Sequence, residues 1–275
     1  MDNRTEKALS DLLNSKKYSD ICPDTVKNAF LEQTKRHGKL KDADKAARSH
    51  LHAITGAFIS PDELKNAKKA IAEWMDGDEE AFFRAIHYHS STRERAEIAE
   101  ELYKRAFSAC DKVDTILDLA CGINPIFLGK MGYTDVTGLD IHAGCAQLIN
   151  DCAAFFGWKT RARAQDLILN PPKDEADITL MMKLLPVLET QKNGAAGALL
   201  DAVKSRYMLI TFPTQTLGGK KVGMEKHYTE WFEARIPENL TIIDRFVIGN
   251  ELAYTLERKE HGKAFCSGDA DRKPE

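Results

Sequence analysis

Thr115-Ile116-Leu117-Asp118-Leu119 runs into Ala120-Cys121-Gly122, and, after a helical stretch, Asp135-Val136-Thr137-Gly138-Leu139 ends at Asp140. The order is apolar strand, small-residue turn, helix, apolar strand, acid. A turn containing glycine lets a ligand approach backbone N–H groups. An acid at the tip of the following strand is placed to hold the two hydroxyls of a ribose. Asp140 follows Asp118 by 22 residues, close to the spacing of about 20 for such an acid. The G-x-G-x-x-G fingerprint of a dinucleotide site is missing, since the turn holds one glycine followed by Ile123-Asn124-Pro125. The reading is therefore an S-adenosylmethionine site on an open α/β sheet, with Gly122 leaving room for the methionine portion and Asp140 on the ribose. A turn glycine and a solvated strand-end acid are the plainer alternatives.

From Val113 onward, short apolar runs alternate with helical stretches, the pattern of a mostly parallel sheet. Strands are predicted over 115–119, 135–139, 160–164, 177–181, 207–212, 240–248 and 251–257. Only Gly249-Asn250 separates the last two, so these should form an antiparallel hairpin. Before this region the chain reads as helical, rich in Ala, Lys and Glu. Leu9, Leu12 and Leu13 recur at helical spacing. Pro23-Asp24-Thr25 reads as a helix start, with Val26, Phe30 and Leu31 as its apolar face. Further helices are predicted over 45–58, 61–75 and 79–87. Ser91-Thr92-Arg93-Glu94 matches a capping box, opening a helix with Ala99, Leu102, Tyr103, Ala106 and Phe107 on one face. The expected fold is α/β, a Rossmann-like class I methyltransferase domain (108–258) with a seven-stranded, mostly parallel sheet closed by an antiparallel hairpin. An N-terminal helical domain (1–107) precedes it. The polar tail, 259–275, has no period and is expected to be disordered.

Composition narrows the class. The chain has 275 residues, 43% of them hydrophobic and 29% charged, with a net charge of −3. That charge announces no nucleic-acid binder, so any RNA site must be a local patch. Residues 16–48 supply one: nine Lys and Arg, including Lys16, Lys17, Lys35, Arg36, Lys39 and Lys41, against five acids. A solvated helical face is the bland alternative. The N-terminal segment lacks an apolar h-region, so no signal peptide is expected. No apolar run approaches the ~20 residues that cross a bilayer. The six cysteines show no C-x-x-C pair, which points to free thiols, a reducing cytoplasm and no metal.

Other candidate residues sit near the strand ends. Asp166 follows the third strand, where an acid accepts the adenine amine and Leu167 packs on the ring; a turn-capping Asp is the alternative. Lys183 closes the fourth strand, at the edge that faces the transferred methyl group. No Asn-Pro-Pro-Tyr-like motif stands there, which argues against an exocyclic-amine target. Arg95 reads either as a ligand for an anionic group or as the partner of Glu94 or Glu97. Phe212 and Tyr228 read as core aromatics, with stacking on a displaced base as the alternative.

Several ordered stretches carry a resemblance. They are Pro23-Asp24-Thr25-Val26, Leu51-His52-Ala53-Ile54-Thr55-Gly56-Ala57-Phe58, His89-Ser90-Ser91-Thr92-Arg93-Glu94-Arg95 and Asp118-Leu119-Ala120-Cys121-Gly122-Ile123-Asn124-Pro125. Lys183-Leu184-Leu185-Pro186 with Leu188-Glu189, Phe212-Pro213-Thr214, Leu217-Gly218-Gly219, Gly223-Met224-Glu225 and Ile248-Gly249-Asn250-Glu251-Leu252 complete the set. With these the chain resembles the aminoglycoside-resistance 16S rRNA (guanine(1405)-N7)-methyltransferases of the Arm/Rmt type. The resemblance implies S-adenosylmethionine as cofactor and helix 44 of 16S rRNA in the 30S subunit as target. It implies docking through the helical domain and resistance to gentamicin and kanamycin. It makes Arg95 a ligand of the cofactor carboxylate, beside Gly122, Asp140, Asp166 and Leu167. It places Lys183, Glu189 and Glu251 on the target side, with no general base. A cytoplasmic monomer, without membrane or metal, is the expected state. An S-adenosylmethionine enzyme acting on a small molecule or protein is the alternative.

Overall fold

The computed structural model describes residues 2–55, 58–215 and 223–259. Gly56-Ala57, the Leu217-Gly218-Gly219 stretch and tail residues 260–275 lie outside the described residues.

Seven helices come first: α1 (Asn3–Leu13), α2 (Pro23–Arg36), α3 (Leu40–Thr55), α4 (Pro61–Met75), α5 (Glu79–His87), α6 (Ser90–Arg95) and α7 (Ala99–Ser108). Pro23 opens α2 in its first turn, where its missing N–H has no intrahelical partner to lose. α3 begins earlier than the expected residue 45, because Ala43, Ala47 and Leu51 continue one buried stripe at four-residue spacing. α4 carries a capping box formed by Ser60 and Glu63.

The capping box expected at Ser91-Thr92-Arg93-Glu94 does not form. The N-cap of α6 is His89, and it makes no side-chain capping bond. Glu94 is drawn away to the Lys183 ammonium, at 3.0 Å. The chain breaks at residues 96–98 and restarts as α7, which buries the five apolar residues of the predicted face: Ala99, Leu102, Tyr103, Ala106 and Phe107. One predicted helix is thus two, and Arg95 ends the first instead of opening a longer one.

The second half alternates: β1 (Ile116–Leu119), α8 (Asn124–Lys130), β2 (Val136–Asp140), α9 (Ala143–Phe156), β3 (Arg161–Ala164), β4 (Ile178–Met182), α10 (Leu184–Gln191), α11 (Ala195–Ala202), β5 (Tyr207–Pro213), α12 (Met224–Glu233), β6 (Leu240–Ile248) and β7 (Glu251–Arg258). All seven predicted strands are present. The sheet order is β3-β2-β1-β4-β5-β7-β6. β1 pairs in parallel with β2 and β4, and β7 runs antiparallel to both β5 and β6. This is the seven-stranded class I methyltransferase sheet.

Burial follows position in that order. β1 is buried at every residue, whereas the edge strand β3 exposes Arg161 and Arg163. Charged side chains on an edge deter pairing with a second chain. Successive residues of the central strands feed opposite faces. Ile116, Ile178 and Leu180 join a core built from α4, α5 and α7–α9. Leu117, Leu119 and Met181 join the core under α10–α12. A third, separate core holds α1–α3 together through Leu12, Val26, Phe30, Ala47 and Leu51. From β1 the chain moves outward through β2 to β3, then crosses back to place β4 on the other side of β1. That reversal opens a crevice above the C-terminal strand ends, where open α/β sheets bind ligands.

Candidate active site

The crevice is a cavity of about 800 Å³. Its floor is made by the residues that follow three neighbouring strands: Ala120 after β1, Asp140 and Ile141 at the end of β2, and Met182 and Lys183 at the end of β4. Gln165, Asp166 and Leu167, beyond β3, form one end. Thr25 of α2, Ile54 and Thr55 of α3, and Phe58 between α3 and α4 also line it, as does Tyr228 of α12.

The turn after β1 is tightly wound. Ala120 and Gly122 both have φ of +53°. Left-handed backbone favours glycine, and a non-glycine residue held there costs about 1–3 kcal/mol. Gly122 is also constrained by space. A Cβ added to it would lie 2.3 Å from Cε1 of His89. The room left by the absent side chain is therefore filled by a buried imidazole. The Gly122 N–H donates to Asp140 Oδ2 at 2.8 Å, and the His142 N–H donates to Asp140 Oδ1 at 2.8 Å. These bonds fix the carboxylate and leave each oxygen a further lone pair. Burial pushes the Asp140 carboxyl above its usual range, against the pull of those two N–H groups.

Asp166 is held by three donors. Oδ1 accepts from the Ile168 and Leu169 N–H groups at 3.0 and 3.1 Å. Oδ2 accepts from the Thr25 hydroxyl at 2.7 Å. Leu167, beside it, is buried against the cavity. Asp140 and Asp166 thus stand at the tips of adjacent strands and both line the cavity.

On the β4 side a charged cluster is buried. Arg95 Nε donates to Glu251 Oε1 at 3.0 Å, and the Lys183 ammonium lies 3.4 Å from the same oxygen. Lys183 also donates to Glu94. Burial disfavours the Glu251 charge, but Arg95 and Lys183 outweigh it and hold its carboxyl below the usual range. Removing one member of such a buried pair costs about 3–5 kcal/mol. Lys183 adopts φ of +56°, so its ammonium is presented from strained backbone. Deeper still, the Tyr103 hydroxyl donates to Asn124, whose amide donates to Asp118 at 2.7 Å. Burial raises the Asp118 carboxyl to about 7.

Of the residues predicted from sequence, Asp140, Asp166, Leu167 and Lys183 line the cavity, and Gly122 supports it from beneath. Arg95 and Glu251 lie behind Lys183. Glu189 is elsewhere: its carboxylate accepts from the Gly194 and Ala196 N–H groups at 2.9 and 3.1 Å, capping α11. Lys16, Lys17, Lys35, Arg36, Lys39 and Lys41 are exposed on and between α1, α2 and α3, and none lines the cavity. Phe212 is fully buried and stacks on Tyr228 with ring centroids 5.3 Å apart.

Sequence reasoning missed His89 and Thr25 as cavity residues. His89 is 6% exposed, and burial, with Arg95 and His142 nearby, lowers its pKa to about 4. It is a neutral imidazole stacked near Phe58. Its Thr92 partner is local, but the Gly122 turn that it fills and the Phe58 ring beside it come from other parts of the chain.

The residues fit S-adenosylmethionine. Two fixed carboxylates with spare lone pairs stand at the tips of β2 and β3, beside a turn whose Gly122 leaves its room to the His89 imidazole and not to the methionine portion of the cofactor as expected. Among the described residues no cluster of His, Cys, Asp and Glu is arranged to hold a metal ion, and no helix is long and apolar enough to cross a membrane.

Comparison with known proteins places the chain. Residues 14–255 match the family model described as "Ribosomal RNA methyltransferase (FmrO)". The chain is 39% identical over 251 residues to a 16S rRNA (guanine(1405)-N(7))-methyltransferase of Serratia marcescens, covering 91% of this chain and 97% of that protein. It is 33% identical over 271 residues to a protein of the same description from Micromonospora rosea, covering 94% and 98%. Among solved structures, the 16S rRNA methyltransferase RmtF in complex with S-adenosyl-L-homocysteine aligns with a TM-score of 0.89 at 50% identity, covering 94% of this chain and 100% of that one. The 16S rRNA methylase RmtB aligns with a TM-score of 0.82 at 36% identity, covering 93% and 98%.

Proposed function

The chain belongs to the ribosomal RNA methyltransferase (FmrO) family, and from that premise we propose how its cavity performs the family's reaction. The protein is an S-adenosylmethionine-dependent enzyme that methylates N7 of guanine 1405 in 16S rRNA. The observation that carries this reading is the pair of fixed carboxylates, Asp140 and Asp166, lining one cavity with Lys183 at the switch point of the sheet. In it, Asp140 holds the ribose hydroxyls, Asp166 the adenine amine, and Leu167 packs on the ring. Arg95 takes the cofactor carboxylate, with Glu251 keeping the guanidinium in place. Lys183 faces the incoming guanine, and Glu189 supports that side through α11.

The bound cofactor supplies an electrophilic methyl group. Guanine N7 brings an in-plane lone pair and carries no proton to remove. The protein therefore needs no general base at the target, and its work is alignment. Holding nucleophile and methyl carbon in line contributes about 7–11 kcal/mol. The major groove of A-form RNA is too deep and narrow for side chains to reach N7. The target base is therefore extruded, at a cost of a few kcal/mol.

In this reading the substrate is the assembled 30S subunit, and the modified base lies in helix 44. The helical region, residues 1–107, docks on that particle through the exposed lysines and arginines of residues 16–48, and residues 108–258 carry the chemistry. The enzyme acts as a monomer in the cytoplasm. The methyl group leaves a positive charge on the ring and removes an acceptor, both of which repel cationic 4,6-disubstituted deoxystreptamines such as gentamicin and kanamycin.

The test is to express the protein and probe 16S rRNA with borohydride and aniline, followed by primer extension. A stop at guanine 1405 is expected, together with resistance to gentamicin and kanamycin. An unmodified 16S rRNA in cells containing folded protein would refute the reading. In the same assay Asp140→Ala removes the stop, and calorimetry gives at least a tenfold weaker affinity for S-adenosylhomocysteine, on the order of one charge-assisted hydrogen bond lost.

A further inference from the structure

α1–α3 are more than a substrate-docking unit, because the cofactor site is incomplete without them. Their apolar core is separate from both cores of the sheet domain. Apart from the local bond of the Phe58 N–H to the Thr55 carbonyl at the end of α3, the hydrogen bonds found among the described residues between α1–α3 and the rest of the protein come from residues 20–25. The Cys22 N–H donates to the Ile141 carbonyl at 2.7 Å, and the Ala143 N–H donates to the Asp20 carbonyl at 2.6 Å. Ile21 and His142 form an isolated antiparallel bridge. The Asn170 amide reaches Asp24 at 3.4 Å. The Thr25 hydroxyl donates to Asp166 Oδ2. These partners lie at residues 141–143, between the end of β2 and the start of α9, and in the loop after β3; the first group directly follows Asp140 and the second includes Asp166.

Thr25 is the contact that reaches a candidate ligand-binding atom. It is 4% exposed, Asp166 is 9% exposed, and both line the cavity. The Asp166 Oδ1 atom is occupied by two backbone donors. Oδ2 therefore has to offer the acceptor for a ligand. A carboxylate oxygen has two lone pairs, so one donor at Oδ2 decides the direction in which the other lone pair faces. The hydroxyl comes from a different element than the carboxylate, so its position reports whether α2 is seated.

Resting on the reading that Asp166 accepts the adenine amine, we propose that Thr25 is a positioning residue: through its hydroxyl, the docked N-terminal helices orient Asp166 for the exocyclic amine.

The test compares two probes by calorimetry on the full chain: S-adenosylhomocysteine and its 6-deamino purine analogue, which lacks the exocyclic amine. Thr25→Val keeps shape and removes the hydroxyl. It is expected to weaken S-adenosylhomocysteine by about 5- to 20-fold, the range of a hydrogen bond to a charged group and of a modest coupling between elements. The analogue should change less than about twofold, because it never used that acceptor. The wild-type preference for the amine therefore collapses, and Thr25→Ser restores it. A merely structural role would weaken both probes alike. If Thr25→Val keeps the wild-type preference while Asp166→Asn loses it, Thr25 positions nothing and the adenine assignment stands. If Asp166→Asn also keeps the preference, the adenine assignment falls and this proposal with it. Should Thr25→Val not fold, Thr25→Ser against Thr25→Ala makes the same comparison.

Discussion

Lys183 shows how one side chain can be read correctly for place and incompletely for cause. Its strand-end position was legible, because a polar residue closes an apolar run. Its φ of +56° was not. A lysine has no local reason to adopt left-handed backbone, which costs an L-residue about 1–2 kcal/mol. Packing of β4 into α10 imposes it. Lys183→Gly and Lys183→Ala both lose the ammonium that faces Glu94 and Glu251, so their difference isolates the backbone. The glycine variant should be the more stable by about 1 kcal/mol in urea unfolding. Equal stabilities would mean that this backbone is unstrained.

His89 offers a second test, with a definite sign. Its folded pKa of about 4 lies below the ordinary 6.5. Between those values the unfolded chain binds more protons, so this group's contribution to stability rises with pH and is lost on acidification. The slope is at most about 1.4 kcal/mol per pH unit. Arg95, His142 and Arg93 oppose protonation, and Glu63 favours it. Asp118 acts in the other direction, because its carboxyl is raised to about 7 and is stabilising below that value. A wild-type profile therefore mixes the two. The gap between wild type and His89→Gln removes the Asp118 contribution. That gap should shrink as pH falls from 7 to 5, measured by chemical denaturation at each pH. A constant gap would show that His89 is not held neutral.

The secondary-structure elements were the most legible level. Each predicted strand formed, because alternation and apolar runs are local signals of a buried sheet. The α6–α7 break was missed for the opposite reason: Glu94, the reciprocal half of the expected capping box, is engaged by Lys183, 89 residues away. Glu189 illustrates the same principle. It sits in α10, yet its carboxylate caps α11, whose own N-cap residue is Gly194 and carries no side chain. Glu189→Ala should cost about 1 kcal/mol of stability, the usual worth of a cap, and leave S-adenosylhomocysteine affinity unchanged. A weakened ligand affinity would place Glu189 nearer the cavity than its hydrogen bonds do.

Across the protein as a whole, a net charge of −3 conceals a basic N-terminal region. Eight of its nine cations are exposed, from Lys16 to Lys45, while Arg48 is half-buried and paired with Asp44. Each phosphate contact steepens the dependence of affinity on salt. Reversing Lys35, Arg36 and Lys39 to Glu should weaken 30S binding and lower the log–log salt slope by up to about 3. S-adenosylhomocysteine affinity should stay at the wild-type value, since none of the three lines the cavity. Wild-type 30S affinity in this variant would rule out the docking patch.

Local chemistry written along the chain was enough to specify the strands, the hairpin at Gly249-Asn250, the strand-end acids and the fold class, because alternation, turn residues and motif spacing act between near neighbours. Tertiary structure alone decided that an imidazole fills the space beside Gly122, that Arg95 and Lys183 share Glu251, and that Thr25 reaches Asp166 across 141 positions of sequence. Those contacts depend on which buried polar groups find partners once the elements pack, and low-dielectric burial makes every such pairing a property of the assembled fold.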